Sequence, residues 1–351
     1  MKKMLIVINN FNDVSHNQHL LRLIKFLSKK RDVIALASLT DNGELKTKFD
    51  SVPKVTRVKI QDVFHFLKEN PETIILTKEL RSEYFVFIVR FFLGWSKYKH
   101  LTIRPSFGFL NESWWKIIKN ILFYFSLFLV DLNITVGETV ANRIRAIKNV
   151  KKQKVVCIPN SLSKKFLASN THHLLDIKKI NFIYTGFLEK RKNLDYSIEL
   201  LELVPNNFTF TILGDGPEKN KLINLVKTKK MTDKVNFLGH VANVKEHLGK
   251  ADIFLFLTKM EGLSLSLLEA MACGLVCVVS DIPENRELII DMKNGLILPL
   301  NNQKQAIKKL ANILKNEKQL IKMGKNARQT IIEKYSDDKS FRLYEQILNS
   351  I

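Results

Sequence analysis

Short apolar runs alternate with amphipathic stretches along most of the chain. Met4–Ile8 (MLIVI) is continuously apolar, and a stretch from about His19 to Lys30 follows in which apolar residues recur at helical spacing. An unbroken apolar run predicts a strand buried on both faces, whereas apolar residues three and four positions apart predict a helix with one buried side. Further strands are predicted at Val33–Leu39, Val55–Ile60, Thr73–Thr77, Leu101–Arg104, Leu132–Val136 and Val155–Ile158. Helices are predicted near Ile60–Glu69, Glu79–Leu93 and Thr139–Ile147.

The same alternation starts again after the turn Pro159-Asn160-Ser161, which is predicted to mark a domain boundary. Strands are predicted at Ile180–Thr185, Phe208–Leu213, Val235–Leu238, Ile253–Leu257, Val276–Val279 and Leu296–Leu298. A helical, lysine-rich end runs from Lys304, with a break near Tyr335-Ser336. Strands that alternate with helices predict an α/β protein with doubly wound parallel sheets. We therefore expect an N-terminal domain over 1–162 and a C-terminal domain over 163–335, with a last helix at about 336–351 packing back on the first domain.

The stretch Glu261–Asp281 (EGLSLSLLEAMACGLVCVVSD) places two carboxylates, Glu261 and Glu269, eight positions apart around a loop-to-helix junction. Ser264 can cap the helix, and Gly274 is predicted to end it. The unpaired N–H groups at such a helix start suit a phosphate-bearing ligand. On these residues alone, the glutamates are either ligand contacts or a surface pair on an Ala/Leu helix.

A second group of candidates lies in the loops that leave two predicted strands. Gly186 permits a tight exit from the strand Ile180–Thr185, and Lys190, Arg191 and Lys192 load the loop just before a helix start. Gly214 follows the next strand in the same way. Basic side chains beside free helix N–H groups are typical of a phosphate cradle, although a lone KRK run is also common on solvated faces.

Composition adds a strong positive charge to this picture. The 351 residues carry a formal net charge of +22, and the excess of basic residues leans toward residues 1–160. A charge of this size indicates anionic partners, which could be nucleic acid, phosphorylated small molecules or an anionic membrane, or else simply a basic surface. The positive charge is the only feature that favours nucleic-acid binding. Because the sequence shows no recognition helix or aromatic platform, we expect no nucleic-acid partner.

Two aromatic segments, Tyr84–Trp95 and Trp114–Val130, are either buried helices or an interfacial surface that meets anionic lipid. Neither has the roughly 20 apolar residues that span a bilayer. The N-terminus lacks the pattern of a signal peptide, and the three cysteines fit neither a disulfide framework nor a metal site. We therefore expect a cytoplasmic protein that could lie peripherally on the inner face of the membrane.

Five segments in order carry a resemblance to a known family: GFLEKRKN, LGDGPE, VNFLGHV, EGLSLSLLEAMACG and NGLIL. Over about residues 180–300 they resemble the C-terminal domain of the retaining glycosyltransferases of family 4. The resemblance implies the GT-B fold, in which two Rossmann-like domains face each other across an interdomain cleft. It also implies metal-independent transfer of a sugar from a nucleotide-sugar donor, which is a substrate, without any cofactor.

The resemblance assigns roles to individual positions of this sequence. It implies that Glu269 hydrogen-bonds the donor ribose, that Glu261 contacts hydroxyls of the transferred sugar, and that Lys192 holds the diphosphate. The backbone of three residues would lie near the sugar and phosphate: Gly262, Leu263 and Ser264. Ionised carboxylates suit the first two roles because each can accept two hydroxyl donors.

Departures from the family pattern fall mostly in the first half. Phe187 stands where the family has an arginine, so that Lys190 or Arg191 would have to replace it. The first loop lacks the usual glycines, and Arg104 stands near the place of an expected histidine. This leaves Asn10, His16 and Arg104 as acceptor-side candidates.

The expected function is a retaining hexosyl- or N-acetylhexosaminyltransferase that uses a UDP-linked donor and extends a lipid-linked, cell-surface glycan of a bacterium. Two alternatives stay open on the sequence. One is a non-catalytic GT-B partner of another transferase, and the other is a nucleotide-sugar epimerase on the same fold.

Overall fold

Two parallel β-sheets, one of seven strands and one of six, organise the chain. The computed structural model describes residues 3–12, 15–31, 34–106, 114–168, 177–204 and 207–351, without the side chains of 15, 16, 114–117 and 119. The chain divides into two units, Met1–Asn160 together with Asp337–Ile351, and Ser161–Ser336. Each unit contains one of the sheets, which confirms the expected α/β class with two Rossmann-like halves.

The strands of the first unit follow the order β3-β2-β1-β4-β5-β6-β7. They are β1 (Met4–Ile8), β2 (Ile34–Ser38), β3 (Val55–Arg57), β4 (Ile74–Thr77), β5 (Lys99–Arg104), β6 (Leu132–Thr135) and β7 (Val155–Cys157). The helices are α1 (Ser15–Leu27), α2 (Lys46–Asp50), α3 (Val63–Glu69), α4 (Leu80–Leu93), α5 (Trp114–Leu129) and α6 (Glu138–Arg145). The strands β4, β5 and β6 are consecutive neighbours, and parallel crossovers are almost always right-handed, so α4 and α5 are expected on the same face of the sheet, where they contact each other.

One part of the core of this unit lies between that face and the helices. Leu5 and Val7 of β1 pack with Val86 and Val89 of α4, and all of these side chains are buried. The central strands β1, β2 and β4 are buried along their whole length, which explains why their sequences are continuously apolar.

The second unit repeats the plan with the order β10-β9-β8-β11-β12-β13. Its strands are β8 (Ile180–Thr185), β9 (Phe208–Leu213), β10 (Val235–Gly239), β11 (Ile253–Phe256), β12 (Val276–Ser280) and β13 (Leu296–Leu298). Its helices are α7 (Lys164–Ala168), α8 (Leu194–Glu202), α9 (Lys219–Thr228), α10 (Val244–Gly249), α11 (Leu265–Ala272), α12 (Pro283–Arg286), α13 (Gln303–Ile313) and α14 (Glu317–Lys334).

The last helix, α15 (Asp337–Ser350), belongs to the first unit and packs on α1. Phe341 lies edge-on to the ring of His19, and Asp337 Oδ2 accepts a hydrogen bond from Arg22 Nε at 2.9 Å. The predicted break at Tyr335-Ser336 is confirmed, since α14 ends at Lys334 and α15 begins at Asp337.

The predicted strands are largely confirmed, whereas several short helices were not predicted. The sequence reasoning missed α2, α7 and α12, and the lysine-rich end splits into α13 and α14 because Asn316 caps a new helix by accepting from the Gln319 N–H. The KRK run forms a 3-10 turn, Lys190–Lys192, before α8. Across the described part of the chain, every helix is too short or too polar to traverse a lipid bilayer.

Candidate active site

The candidate site lies at the carboxyl ends of β8 and β11, the two central strands of the second sheet. From β8 the chain proceeds to β9 on one side, and from β11 it proceeds to β12 on the other side. The loops that leave such a pair of strands diverge, and the crevice between them is where open α/β sheets bind ligands. The KRK loop follows β8, and the segment with Glu261 follows β11.

Direct hydrogen bonds hold these two loops together. The Lys259 N–H donates to Arg191 O at 2.8 Å, and Asn193 Nδ2 donates to Leu257 O at 3.0 Å. Asn193 adopts a left-handed backbone with φ of 57°, a conformation that asparagine tolerates better than most residues. The loop carrying the cations is therefore fixed in register with the loop carrying the carboxylate.

A compact ionic cluster results at Glu261. Its Oε1 atom lies 2.6 Å from Lys192 Nζ and 3.0 Å from Arg191 Nη1, and it accepts a hydrogen bond from Thr258 Oγ1 at 3.0 Å. Glu261 and Lys192 are each only 7% exposed. Charges this deeply buried persist only when they are paired and hydrogen-bonded, as they are here.

The protonation state of the cluster follows from these contacts. Burial opposes the ionisation of Glu261, but the charges of Lys192 and Arg191 and the hydrogen bonds from Lys192 and Thr258 outweigh it, so the pKa of Glu261 lies below its usual value. Burial lowers the pKa of Arg191, and the carboxylates of Glu261 and Glu189 more than compensate, so that its pKa is raised. Glu261 is therefore a carboxylate at neutral pH and Arg191 a cation.

Helix α11 begins beside this cluster in the way the sequence predicts. Ser264 Oγ accepts a hydrogen bond from the Leu267 N–H at 3.3 Å, which confirms its predicted role as the N-cap. Of the three residues before α11, Leu263 is buried, whereas Gly262 and Ser264 are half-buried. Glu269 lies within α11 and is half-buried.

The glycines of the neighbouring turns allow two loops to touch. Gly214 has a φ of 135°, and a Cβ atom there would lie 1.9 Å from Gly186 O. Gly186 itself has a φ of 149°, and a Cβ there would approach Tyr184 Oη at 2.8 Å. Gly214 thus requires glycine because a Cβ would collide with backbone, and Gly186 favours glycine because of its positive φ.

The side chains of the KRK run point to different surroundings. Lys190 is exposed, Lys192 is buried against Glu261, and Arg191 bridges Glu261 and Glu189, whose Oε1 lies 2.7 Å from Arg191 Nη2. Of the two residues that could replace the arginine missing at Phe187, only Arg191 therefore reaches the ionic cluster.

The structure places the acceptor-side candidate Arg104 in a buried ion pair. Its guanidinium is 3% exposed and pairs with both carboxylate oxygens of Glu83, with Nη1 to oxygen distances of 2.9 and 2.7 Å, while Nε donates to Asn133 Oδ1 at 3.0 Å. Its role on the acceptor side therefore stays a prediction, and the ion pair with Glu83 of α4 is the contact that the structure shows.

The other two acceptor-side candidates lie around the start of α1. Asn10 is half-buried in the loop after β1, and its Oδ1 accepts from the Asn12 N–H at 3.2 Å. His16 lies in the first turn of α1, and its side chain is outside the described residues.

Sequence reasoning missed two residues near the switch points of the sheets. Lys78 directly follows β4, which adjoins β1 where the strand order of the first sheet reverses. It is buried, and burial lowers its pKa to about 7. Thr258, which directly follows the predicted strand Ile253–Leu257, is the other. A polar residue at the carboxyl end of a buried strand was the signal that could have found both.

The second unit, which contains this ionic cluster, is also the part of the chain that matches a known protein family. Residues 169–330 match the family model described as "Glycosyl transferases group 1". The chain is 34% identical over 136 residues to N-acetyl-alpha-D-glucosaminyl L-malate synthase of Bacillus anthracis. This alignment covers 39% of this chain and 36% of that protein. It is 28% identical over 201 residues to an Escherichia coli UDP-Gal:alpha-D-GlcNAc-diphosphoundecaprenol alpha-1,3-galactosyltransferase, covering 53% and 52%. These alignments thus span about a third to a half of the two relatives.

The likeness of the whole structure extends further than that of the sequence. The crystal structure of Anabaena HepE in complex with UDP superposes with a TM-score of 0.82 at 15% identity, covering 100% of both chains. At this identity the likeness shows the fold, which is GT-B.

Proposed function

We propose that this protein transfers a sugar from a nucleotide-sugar donor to a hydroxyl group of a growing glycan, with retention of the anomeric configuration. The observation that carries the proposal is the cluster of Lys192, Arg191 and Glu261 at the switch point of the second sheet. Two cations and one carboxylate beside a helix start are the groups that a diphosphate and a sugar require.

In the proposed complex, the donor diphosphate takes the place of Glu261 as the partner of Lys192 and Arg191. The N–H groups at the start of α11 add a partial positive charge to the same anion. Glu261 then accepts hydrogen bonds from sugar hydroxyls, and Glu269 accepts them from the ribose. A carboxylate suits both tasks because it accepts two hydroxyl donors at once.

The proposed step is a same-face substitution at the anomeric carbon. The bond from this carbon to the diphosphate oxygen breaks, and a bond to the acceptor oxygen forms on the same face. The acceptor proton passes to the leaving diphosphate oxygen. Lys192 and Arg191 would stabilise the negative charge that grows on this oxygen, which is where electrostatic assistance lowers the barrier most. The proposal includes no metal ion.

The relatives support a choice of donor and acceptor. One is named for a UDP-Gal donor and a diphosphoundecaprenol-linked acceptor, and HepE was solved with UDP. We accordingly propose a UDP-linked hexose or N-acetylhexosamine as donor and a lipid-linked, cell-envelope glycan as acceptor. Such an acceptor would place the protein peripherally on the inner face of the membrane, where anionic lipid attracts its net charge of +22.

A panel of nucleotide sugars scored by thermal shift tests the donor part. A ligand present at 100 times its dissociation constant stabilises the folded state by about 2.7 kcal/mol, so the correct base and sugar should stand out. Lys192→Met should abolish the shift, whereas Lys190→Ala, at an exposed position of the same turn, should retain it. Binding of no nucleotide sugar by the wild-type protein would refute the proposal.

Turnover assays separate the alternatives. Incubation of the donor with an extract of lipid-linked glycan acceptors should release nucleoside diphosphate in proportion to the glycan extended. An epimerase would instead convert the donor sugar without acceptor, and a non-catalytic partner would bind the donor and leave it intact. Either result would refute the transferase.

A further inference from the structure

The outer faces of α4 and α5 carry large apolar side chains that face solvent. The most exposed are Phe91 and Phe92, each 70% exposed. We call the following set the apolar face: Ile88, Phe91, Phe92, Ile121, Phe125 and Phe128. Positions 88, 91 and 92 on α4, and 121, 125 and 128 on α5, recur at helical spacing, so that each helix presents an apolar stripe over about its second half.

The buried clusters of the first unit use other side chains of the same two helices. The inward sides of the same helices already bury Val86 and Val89 of α4, and Phe123 and Leu127 of α5. Tyr84 Oη donates to Leu122 O at 2.7 Å and ties the two helices together. Each helix is therefore apolar on two sides, although a helix that covers a sheet normally presents a polar side to water. An apolar surface of this kind indicates a binding partner.

The acidic residues described in α4 and just after α5 are paired with arginines. Between 80 and 131, the described residues include two acids, Glu83 and Asp131. Glu83 pairs with the buried Arg104, and Asp131 Oδ2 lies 2.9 Å from Nη2 of the buried Arg90. The negative charge of each of these two carboxylates is therefore offset by an arginine.

Basic side chains stand at both ends of the α4 stripe. Arg81 is exposed in its first turn, and Lys97 and Lys99 are exposed just beyond its end. Trp95, at the same end, is 38% exposed. Aromatic and aliphatic side chains flanked by cations are the composition that enters the headgroup region of an anionic bilayer.

We propose that the apolar face of α4 and α5 docks on an anionic lipid leaflet. The side chains enter the boundary between headgroups and acyl chains, and Arg81, Lys97 and Lys99 contact lipid phosphates. The helices lie on the bilayer and do not cross it. The two stripes lie on the convex surfaces of two neighbouring helices. Lipid molecules can adapt to such a surface, whereas a protein partner would need two grooves that match the two helices. This docking surface would bring the protein to the lipid-linked acceptor of the proposed function. Only its biological purpose rests on that proposed function.

Co-sedimentation with vesicles tests the docking surface directly. The full-length protein should bind vesicles that contain phosphatidylglycerol and bind pure phosphatidylcholine far less, and high salt should weaken the binding. Phe91→Ser with Phe92→Ser should lower the partition coefficient about ten- to a hundredfold. The matched control is Leu203→Ser with Ile332→Ser, two exposed apolar positions of the second unit, and it should bind vesicles like the wild type.

The charge and depth of the interaction have their own readouts. Lys97→Ala with Lys99→Ala should reduce binding to anionic vesicles, while Lys318→Ala with Lys322→Ala, on exposed lysines of α14, should change it little. In a protein with Trp114→Phe and Trp115→Phe, Trp95 is the remaining tryptophan. Its fluorescence should be quenched by brominated lipid.

Several results would overturn the docking surface. They are a wild-type protein that fails to bind phosphatidylglycerol vesicles, a control pair that loses binding as much as the Phe91/Phe92 pair, and a Trp95 that stays unquenched. Self-association in ultracentrifugation that Phe91→Ser with Phe92→Ser abolishes, without vesicle binding, would assign the face to a second copy. Thermal shifts with nucleotide sugars should be measured on the same variants. Variants that still bind a nucleotide sugar but not vesicles would show that the docking surface and the donor site fail independently.

Discussion

The ion pair between Lys192 and Glu261 should contribute to stability as well as to ligand binding. Glu261→Gln removes the carboxylate and leaves two cations, Lys192 and Arg191, facing a neutral amide. Removing one partner of a buried pair typically costs about 3–5 kcal/mol, because the remaining charge is left uncompensated. We expect Glu261→Gln to lower the free energy of unfolding by an amount in this range.

Lys192→Met should cost less than Glu261→Gln. The carboxylate then keeps Arg191 Nη1 at 3.0 Å and the hydroxyl of Thr258 at 3.0 Å, and methionine fills most of the lysine's volume. We expect a loss of about 1.5–3 kcal/mol, the usual contribution of a hydrogen bond to a charged group. The double variant should lose about 2 kcal/mol less than the sum of the single changes, since contacting residues are not additive.

Urea denaturation of the four proteins measures this coupling. Because the pKa of Glu261 lies below its usual value in the folded state, the contribution of the pair is present above about pH 4.3 and is lost as the pH falls through the folded pKa. Asp281→Asn is a matched control, since Asp281 pairs with Arg286 at 2.6 Å but both side chains are exposed. It should change stability by about 0.5 kcal/mol or less. A coupling energy between Lys192 and Glu261 no larger than that of the exposed pair would refute the reasoning.

Two further predictions concern the backbone and a buried base. Gly214→Ala should lower the free energy of unfolding in urea by several kcal/mol more than Gly94→Ala. Both glycines have positive φ, but of the two only a Cβ at 214 would meet a backbone oxygen, that of Gly186. Equal losses would contradict this. Lys78→Met should stabilise the protein at neutral pH. Since burial lowers the pKa of Lys78 to about 7, the unfolded chain binds the extra proton between about pH 7 and 10.5, and wild-type stability rises across this window. The advantage of the variant should shrink by roughly 2 kcal/mol between about pH 7 and 9, and a constant advantage would exclude a buried titrating amine.

The strands were predictable because their residue types and lengths are typical of strands. Ile180–Thr185 and Phe208–Leu213 are six-residue runs rich in β-branched and aromatic residues that end just before a glycine, and the structure has them with the same bounds. A four- or five-residue helix such as α2 or α12 has no room for a repeating pattern, so its sequence carries little signal.

The candidate site was only partly predictable for a different reason. The cap at Ser264 depends on a contact three residues away and was predicted. The contact between Lys192 and Glu261 joins residues 69 positions apart, and it exists because β8 and β11 are neighbours. The contact of Arg104 with Glu83, 21 positions earlier, was likewise not predictable, because it depends on how α4 packs beside β5.

The cluster around Glu261 suggests how one set of residues can serve the protein with and without a ligand. Without a ligand, the carboxylate neutralises two cations that would otherwise repel each other and separate the loops after β8 and β11. A diphosphate could replace it as their counter-ion, which would release Glu261 for hydroxyl groups of the sugar. Part of the attraction between the phosphate and the two cations is then spent on breaking their ion pairs with Glu261. A diphosphate alone should therefore bind more weakly than its charge would predict. In the proposed complex, a nucleotide sugar would recover the difference through the hydroxyl groups that Glu261 is then free to bind. We therefore expect the complete donor to bind more tightly than its diphosphate fragment.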